Sequence, residues 1–246
     1  MHGIDKGGDL IDVDAAYTFF NPKAGLTYSI DGIGLVYASY AIANREPIRD
    51  DFLDAPEDVT PYPERLHDIE IGIRNSFEKI SYSLNSYLMR YHNQLVLTGQ
   101  INDVGLPVRE NVGKSYRAGI EIDLEGKINN YITVRGNLSA GSSQTDFISF
   151  EDNRLVSYND VQLTFSPQLI SAYLVTFKPV KMLELGFAGK YISRQYLDLT
   201  ENKDRSLDPY YLNNFRMILT MHPSFVRELT LSIMVNNIWN ARYSSN

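Results

Sequence analysis

The sequence predicts an all-β fold, an antiparallel transmembrane β-barrel segment of about ten up-and-down strands. Three observations predict it. From Ser115 to Glu125 the residues alternate, with Tyr116, Ala118, Ile120, Ile122 and Leu124 on one face and Ser115, Arg117, Glu121, Asp123 and Glu125 on the other. Connections between strand-like runs alternate between short and long, as they do in outer-membrane barrels with tight turns at one end and longer loops at the other. Several runs also outlast the roughly five or six residues usual in soluble sheets. Alternation alone fits a water-soluble sandwich equally well; the regular alternation of connection length favours the barrel. No apolar run reaches the roughly 18 residues a membrane-spanning helix requires. No fixed-period repeat points to a propeller.

Taken in order, residues 1–16 are rich in Gly and Asp and read as the tail of a loop. Tyr17 to Ile30 reads as a strand interrupted at Asn21-Pro22, because proline removes a ladder donor. Asp31-Gly32 turns the chain into a return strand, Ile33 to Ala43. Asn44 to Pro63 carries four prolines and many acids, and reads as an exposed loop. Arg65 to Arg74 and Ile80 to Tyr91 are the next strands, followed by a second long loop over His92 to Glu110. The strand around Ile120 then turns through Gly126 and Asn129-Asn130 into a strand holding Ile132, Val134, Leu138 and Ala140 on one face. A third loop is expected over Asp146 to Asp160. Leu169 to Phe177 and Leu183 to Tyr196 form a hairpin turned at Lys178-Pro179, and Asp198 to Asp208 is a polar loop. Tyr210 to Met221 and Leu229 to Asn237 form the last hairpin, turned at His222-Pro223-Ser224.

Composition excludes several classes. The chain has 246 residues, 43% of them apolar, too many for a disordered chain. A formal charge of −7 argues against a nucleic-acid-binding surface, and the lack of cysteine excludes disulfides and thiolate metal sites. Seventeen tyrosines against one tryptophan suit strands and a membrane interface, where a ring and a hydroxyl are both satisfied. The first residues, MHGIDKGG, carry neither the basic nor the apolar region of a signal peptide, so an envelope barrel is expected to begin further upstream.

Six stretches resemble, in order, the C-terminal part of a TonB-dependent outer-membrane receptor of the kind common in Bacteroidetes. They are FNPKAGLTY (Phe20 to Tyr28), ASYAIANREPIRDDF (Ala38 to Phe52), PERLHDIEIGIR (Pro63 to Arg74), NVGKSYRAGIEIDLEGKI (Asn111 to Ile128), ENKDRSLDPYYLNNFR (Glu201 to Arg216) and VNNIWNARY (Val235 to Tyr243). The resemblance implies that residues 1–246 are a partial barrel domain, an open part of a wall of roughly 22 strands. The plug domain, the TonB-contacting box and the final strand are then expected outside this chain, and the chain alone is expected to aggregate through its open edges. It also implies a bacterial outer-membrane location and active import of a scarce ligand, a ferric siderophore or similar metal chelate by first choice. The partners it implies are outer-membrane lipid, the TonB complex acting through the plug, and the small ligand. It implies no enzyme activity and no cofactor.

Among candidate site residues, Arg45, His92, Arg109, Arg194, Tyr196 and Arg205 fall in outer loops or at their bases, where an anionic ligand would meet them. The four histidines have no metal-binding spacing. His67-Asp68 suggests a second reading, a closed ten-strand outer-membrane protease. However, adjacent strand residues point to opposite faces, which disfavours a catalytic pair. A third reading is a soluble β-sandwich carbohydrate-binding module with Ile120, Ile122, Ile132 and Val134 in a dry core. Trp239 with Tyr191, Tyr196, Tyr210, Tyr211 and Tyr243 is expected in an outer aromatic girdle. Ile69, Ile71, Ile73, Ile120, Ile122, Ile132, Val134, Leu185, Phe187, Leu231 and Ile233 are expected to face lipid. Glu70, Arg74, Arg117, Glu121, Asp123, Arg135 and Asn137 are expected to face the lumen.

Overall fold

The computed structural model describes residues 2–4, 10–12, 15–55, 59–102, 105–151 and 154–244. Ten strands form one antiparallel wall: β3 (Lys23–Ile30), β4 (Gly34–Arg45), β5 (Glu64–Ser76), β6 (Ile80–Ile101), β7 (Pro107–Lys127), β8 (Ile132–Glu151), β10 (Leu169–Val180), β11 (Leu183–Ile192), β14 (Tyr210–Met221) and β15 (Leu229–Val235). Five shorter strands lie outside that row. β1 (His2–Ile4) pairs with β2 (Leu10–Asp12), β9 (Arg154–Gln162) pairs with the far half of β8, and β12 (Gln195–Tyr196) pairs with β13 (Ser206–Leu207). One short helix, α1 (Arg49–Leu53), sits in the loop after β4.

Each wall strand pairs with its neighbour in sequence, apart from the detour through β9 and the β12–β13 hairpin. β3 and β15 are the two ends of the row and do not pair with each other. The sheet is therefore open, which removes the closed ten-strand protease. The dry core that the alternative sandwich reading requires is not found either, since Ile120 is 41% exposed.

Register decides the facing, because residues opposite each other in a ladder share a face. One row runs Leu35, Arg74, Ser83, Asp123, Asn137 and Ala172 across six adjacent strands. All six line a single hollow of about 880 Å³. One hollow that touches six neighbouring strands means that this face is concave. Glu70, Arg117 and Glu121 line a second hollow on the same face, and Arg135 alternates with Asn137 onto it. The outward row runs Val36, Ile73, Leu84, Ile122, Leu138 and Ser171, with Ile69, Ile71, Ile120, Leu231 and Ile233 on the same side. The lumen and lipid faces are thus as the alternation requires.

Several element boundaries differ from expectation, each for a local reason. The N-terminal loop carries the β1–β2 pair; residues 5–9 lie outside the described residues. The first wall strand begins at Lys23 rather than Tyr17, and Pro22 joins the ladder only through its carbonyl, which accepts from the Ile42 N–H at 2.9 Å. Lys178-Pro179 is not the turn. It forms a bulge in β10, where a missing N–H costs no ladder bond, and the chain reverses at Lys181-Met182. The second and third expected loops are strand, since β6, β7, β8 and β9 extend as hairpins well past the apolar belt. Leu95, Val96 and Leu97 stand there in succession because that part of β6 is covered on both sides.

The aromatic girdle is smaller than expected. Tyr191 and Tyr211 are outward and opposite each other, joined by Tyr173, whose hydroxyl lies 2.6 Å from that of Tyr211. Tyr210 alternates onto the other face and packs on Tyr243, with ring centroids 4.9 Å apart. Tyr196 lies in β12, outside the wall. Tyr173 leans across its cross-strand partner Gly189: a Cβ there would meet ring atoms of Tyr173 at 2.3 Å. Asn213, opposite Gly189 on the other side and 1% exposed, donates to both tyrosine hydroxyls at 3.1 and 3.0 Å.

Two outcomes follow from this packing. Ile122→Arg should cost about 2–4 kcal/mol and Asp123→Arg much less, because only the first puts a charge into hydrocarbon. Equal losses in reversible unfolding from detergent or bilayer would contradict the facing. Gly189→Ala should cost about 1–3 kcal/mol by overpacking. Most of that loss should be recovered in a Tyr173→Leu background, which a double-mutant cycle would detect.

Candidate functional site

Buried apolar side chains gather beyond the wall. Val96, Val112, Val161, Leu163 and Leu199 form one cluster, Leu199 fully buried, with Phe147 and Tyr158 packed against it. They come from the extended ends of β6, β7 and β9, from the residue just past β9 and from the loop that joins β12 to β13. These hairpins stand past the apolar belt, so they need a core of their own, and the loop residues supply it. The β12–β13 hairpin locks onto β6 at Gly99, which has φ +86°. A Cβ there would meet Asp198 at 2.5 Å, so a glycine is required both for the backbone angle and for the contact.

Buried carboxylates hold this crown together. Glu64, 8% exposed, receives both sides of the Arg45 guanidinium at 2.9 and 2.8 Å and also accepts the Leu95 N–H at 2.5 Å. The Arg45 pairing joins the loop ends of β4 and β5, and the Leu95 bond carries it on to β6. Asp51 in α1, 4% exposed, pairs with Arg109 of β7 at 3.6 Å. Asp198, 2% exposed, pairs with Arg205 at 2.9 Å and accepts from the N–H and hydroxyl of Thr200. Arg194 reaches Asp208 at 2.7 Å and donates to the Ser206 hydroxyl at 2.5 Å.

The six candidates are therefore not gathered into one cluster. Arg45 and Arg109 staple strands and α1 together. Arg194, Tyr196 and Arg205 do come together on the β12–β13 hairpin, where Tyr196 pairs with Ser206. The Tyr196 carbonyl accepts the Phe165 N–H at 3.0 Å, and Phe165 lines a hollow of about 380 Å³ on the concave face with Arg117 and Glu121. This hairpin is thus tied to the mouth of the concave face. His92 lies on the opposite, outward face beside Arg65 and Lys114, its ring 5.9 Å from that of His67. His67 turns outward to the Tyr40 hydroxyl at 2.7 Å while Asp68 faces inward, so the two do not form a catalytic pair.

Lower on the concave face, charged side chains close on one another across strands. Arg135 meets Glu125 at 3.0 Å, and Glu184 meets both Arg216 at 2.7 Å and Lys178 at 2.8 Å. Arg74 and Asp123 line the large hollow beside them. Among the described residues, no group of three or more His, Asp or Glu is placed to hold a metal. Residues that the alternation did not single out include Phe165 and the crown cluster. For Val161, Leu163 and Phe165 the signal is a short alternating stretch, VQLTF, inside a segment otherwise read as polar loop and its border.

Burial holds the Glu110 carboxyl above its ordinary pKa. The folded state then holds that proton more tightly than the unfolded state, and stability falls as pH rises from the ordinary carboxyl range through the raised value. Glu110→Gln should therefore protect the amides of Val96 and Val112 from hydrogen exchange at neutral pH. The gain should vanish below about pH 4, where the carboxyl is protonated in both states. A gain independent of pH would reject the assignment.

A family model described as "TonB dependent receptor-like, beta-barrel" matches residues 4–238. Solved structures share the fold. The siderophore receptor PiuA from Acinetobacter baumannii aligns with TM-score 0.69 and 20% identity over 90% of this chain and 32% of its own. The ferric-catecholate import receptor Fiu from E. coli K12 aligns with TM-score 0.69 and 18% identity over 98% of this chain and 34% of its own. The copper transporter OprC aligns with TM-score 0.70 and 13% identity over 90% and 34%. The chain spans about a third of the length of these structures. A search of curated protein sequences gave no match.

Proposed function

The chain belongs to the TonB-dependent receptor β-barrel family, and from that premise we propose that it forms part of the wall of a bacterial outer-membrane receptor. The receptor imports a scarce ligand, a ferric siderophore or similar metal chelate, with energy delivered through TonB. The observation that carries this reading is the segregated wall: an apolar outward face, a charged concave face, and loops with a core of their own at one end only. The wall reading assigns residues 1–246 to a barrel domain whose plug and closing strands belong to a longer receptor; the unpaired outer edges of β3 and β15 support it.

The iron-chelate choice draws on the relatives described as siderophore and ferric-catecholate receptors. The shared fold of a copper transporter makes copper the necessary control. Ligand contact is assigned to the β12–β13 hairpin, with Arg194 and Arg205 offering charge to an anionic chelate and Tyr196 a ring. Arg45 and Arg109 act by holding the crown's shape, and His92 lies apart from the mouth.

Uptake assays test this directly. Deleting the receptor should abolish uptake of at least one labelled ferric chelate in iron-starved cells, and loss of TonB should do the same. Arg194→Ala with Tyr196→Ala should lower uptake about ten-fold, the worth of one lost charge-assisted hydrogen bond. Unchanged uptake of every ferric chelate, with loss of copper uptake instead, would overturn the ligand class. Uptake independent of TonB would overturn the energisation.

A further inference from the structure

The outward face of β5, β6 and β7 changes character at the loop end. From Ile69, Leu88 and Ala118 towards the turns it is apolar apart from Ser86 and, at the turn end, Asn75 and the Tyr82 hydroxyl. One step towards the loops, a cross-strand row reads His67, Arg90, Tyr116 and Gln144. The next row reads Arg65, His92 and Lys114. Five basic residues thus stand on two adjoining rows of three neighbouring strands, directly above the apolar belt.

Arg65, Arg90 and Lys114 gather positive charge on two adjoining rows, with Arg90 and Lys114 diagonal neighbours across β6 and β7, and this arrangement requires an explanation. No ion pair among the described residues neutralises Arg65, Arg90 or Lys114, whereas Arg45, Arg109, Arg194 and Arg205 each have a carboxylate. Arg65 donates only to the Asn44 side-chain oxygen, at 3.2 Å. On β3 to β7 the acidic residues Glu64, Asp68, Glu70, Glu121, Asp123 and Glu125 alternate onto the concave face, and Glu110 alone falls on the outward side, four residues beyond Lys114. A hollow of about 510 Å³ opens between Arg90, His92, Lys114 and Tyr116, with Leu88 from the apolar belt also in its lining. Asp146 and Asp160 line it too, the Asp160 N–H closing on the Asp146 carboxylate at 3.0 Å. The wall of β10, β11 and β14 offers the contrast, since its outward residues at the loop end are the uncharged Tyr173, Tyr191, Tyr211 and Asn213.

We infer that this hollow holds the phosphorylated headgroup of a membrane lipid, with the acyl chains lying on the apolar belt below. The inference rests on the barrel reading proposed above, which puts the outward face in lipid. Arg90 and Lys114 supply charge-assisted hydrogen bonds to phosphate oxygens, the Tyr116 ring sits at headgroup level, and Leu88 and Ala118 meet the first methylenes. A soluble phosphate would use the cations alone. A lipid uses both the cations and the apolar surface, and that combination is why the lipid is favoured.

The test uses the intact receptor extracted from outer membranes, with bound lipid counted by native mass spectrometry after delipidating washes. Wild type should retain a phosphorylated lipid, and Arg90→Gln with Lys114→Gln should lower retention at least ten-fold. Lys190→Gln on the concave face should leave retention unchanged. In nanodiscs, wild type should prefer phosphatidylglycerol to phosphatidylcholine, and millimolar inorganic phosphate should not displace the lipid. Equal retention by the double variant, or no headgroup preference, overturns the proposal; displacement by inorganic phosphate reduces the hollow to an anion site and overturns the lipid assignment. Ferric-chelate uptake and insertion into the membrane are measured in parallel. A receptor that inserts and transports yet retains no phosphorylated lipid loses only this inference, whereas one that fails to insert loses the barrel reading itself.

Discussion

Everything in this structure depends on where the backbone N–H and C=O groups find partners. Inside hydrocarbon no water can satisfy them, and each one left unpaired costs several kcal/mol. A continuous antiparallel ladder is the solution the chain adopts, and it dictates the alternation, because a ladder with lipid on one side and a polar interior on the other must change chemistry at every residue. The same requirement bears on β3 and β15. Each pairs on one side only, so at membrane depth each needs a further strand beside it. That demand, more than any single side chain, is what makes a wall segment of a larger barrel the natural reading.

The alternation fixes chemistry within the belt but loses its hold beyond it. Past His92 and Lys114 the hairpins meet water and one another, and stability there comes from a small dry cluster around Leu199. The buried carboxylates Glu64 and Asp51 each hold an arginine from another segment, and Asp198 holds Arg205 within its own hairpin. Such pairs contribute modestly to stability after desolvation, but they are directional, and removing either partner leaves a charge with nothing to meet it. The crown therefore has a fixed shape with little apolar material, held above one rim of the wall.

Legibility in the sequence followed the same division. Strands β4, β5, β7, β14 and β15 were readable because lipid on one face imposes strict period two, as Ile69, Ile71 and Ile73 against Asp68, Glu70 and Arg74 show. The outer halves of β6, β7, β8 and β9 were not, because Leu95, Val96 and Leu97 stand in a strand covered on both sides and give no alternation. The proline at position 179 misplaced a turn, since a bulge and a turn make the same demand on a residue without an N–H. The candidate site residues, chosen for their place near the outer loops, are of three kinds. Arg45 and Arg109 are braces, His92 faces outward, and only Arg194, Tyr196 and Arg205 share a segment near the mouth. A list of cations cannot separate these cases, because the partner carboxylates come from 7 to 58 positions away, Arg109 with Asp51 the furthest.

A wall specified by alternation carries little information about what crosses it. Exchanging Ile71 for another apolar residue, or Glu70 for another polar one, leaves the ladder and both faces intact, so distant members of such a family can share the wall and little else. Specificity must then reside where alternation does not rule: in the hairpins of the crown, in segments such as Leu163 to Gln168 that reach back onto the concave face, and in exceptions to the pattern within the wall itself. The paired basic rows on the outward face of β5, β6 and β7 are one such exception. Alternation asks only for an apolar or interfacial residue at Arg90 and Lys114. Two unpaired cations there answer a different requirement, one set by the chemistry of the surrounding bilayer.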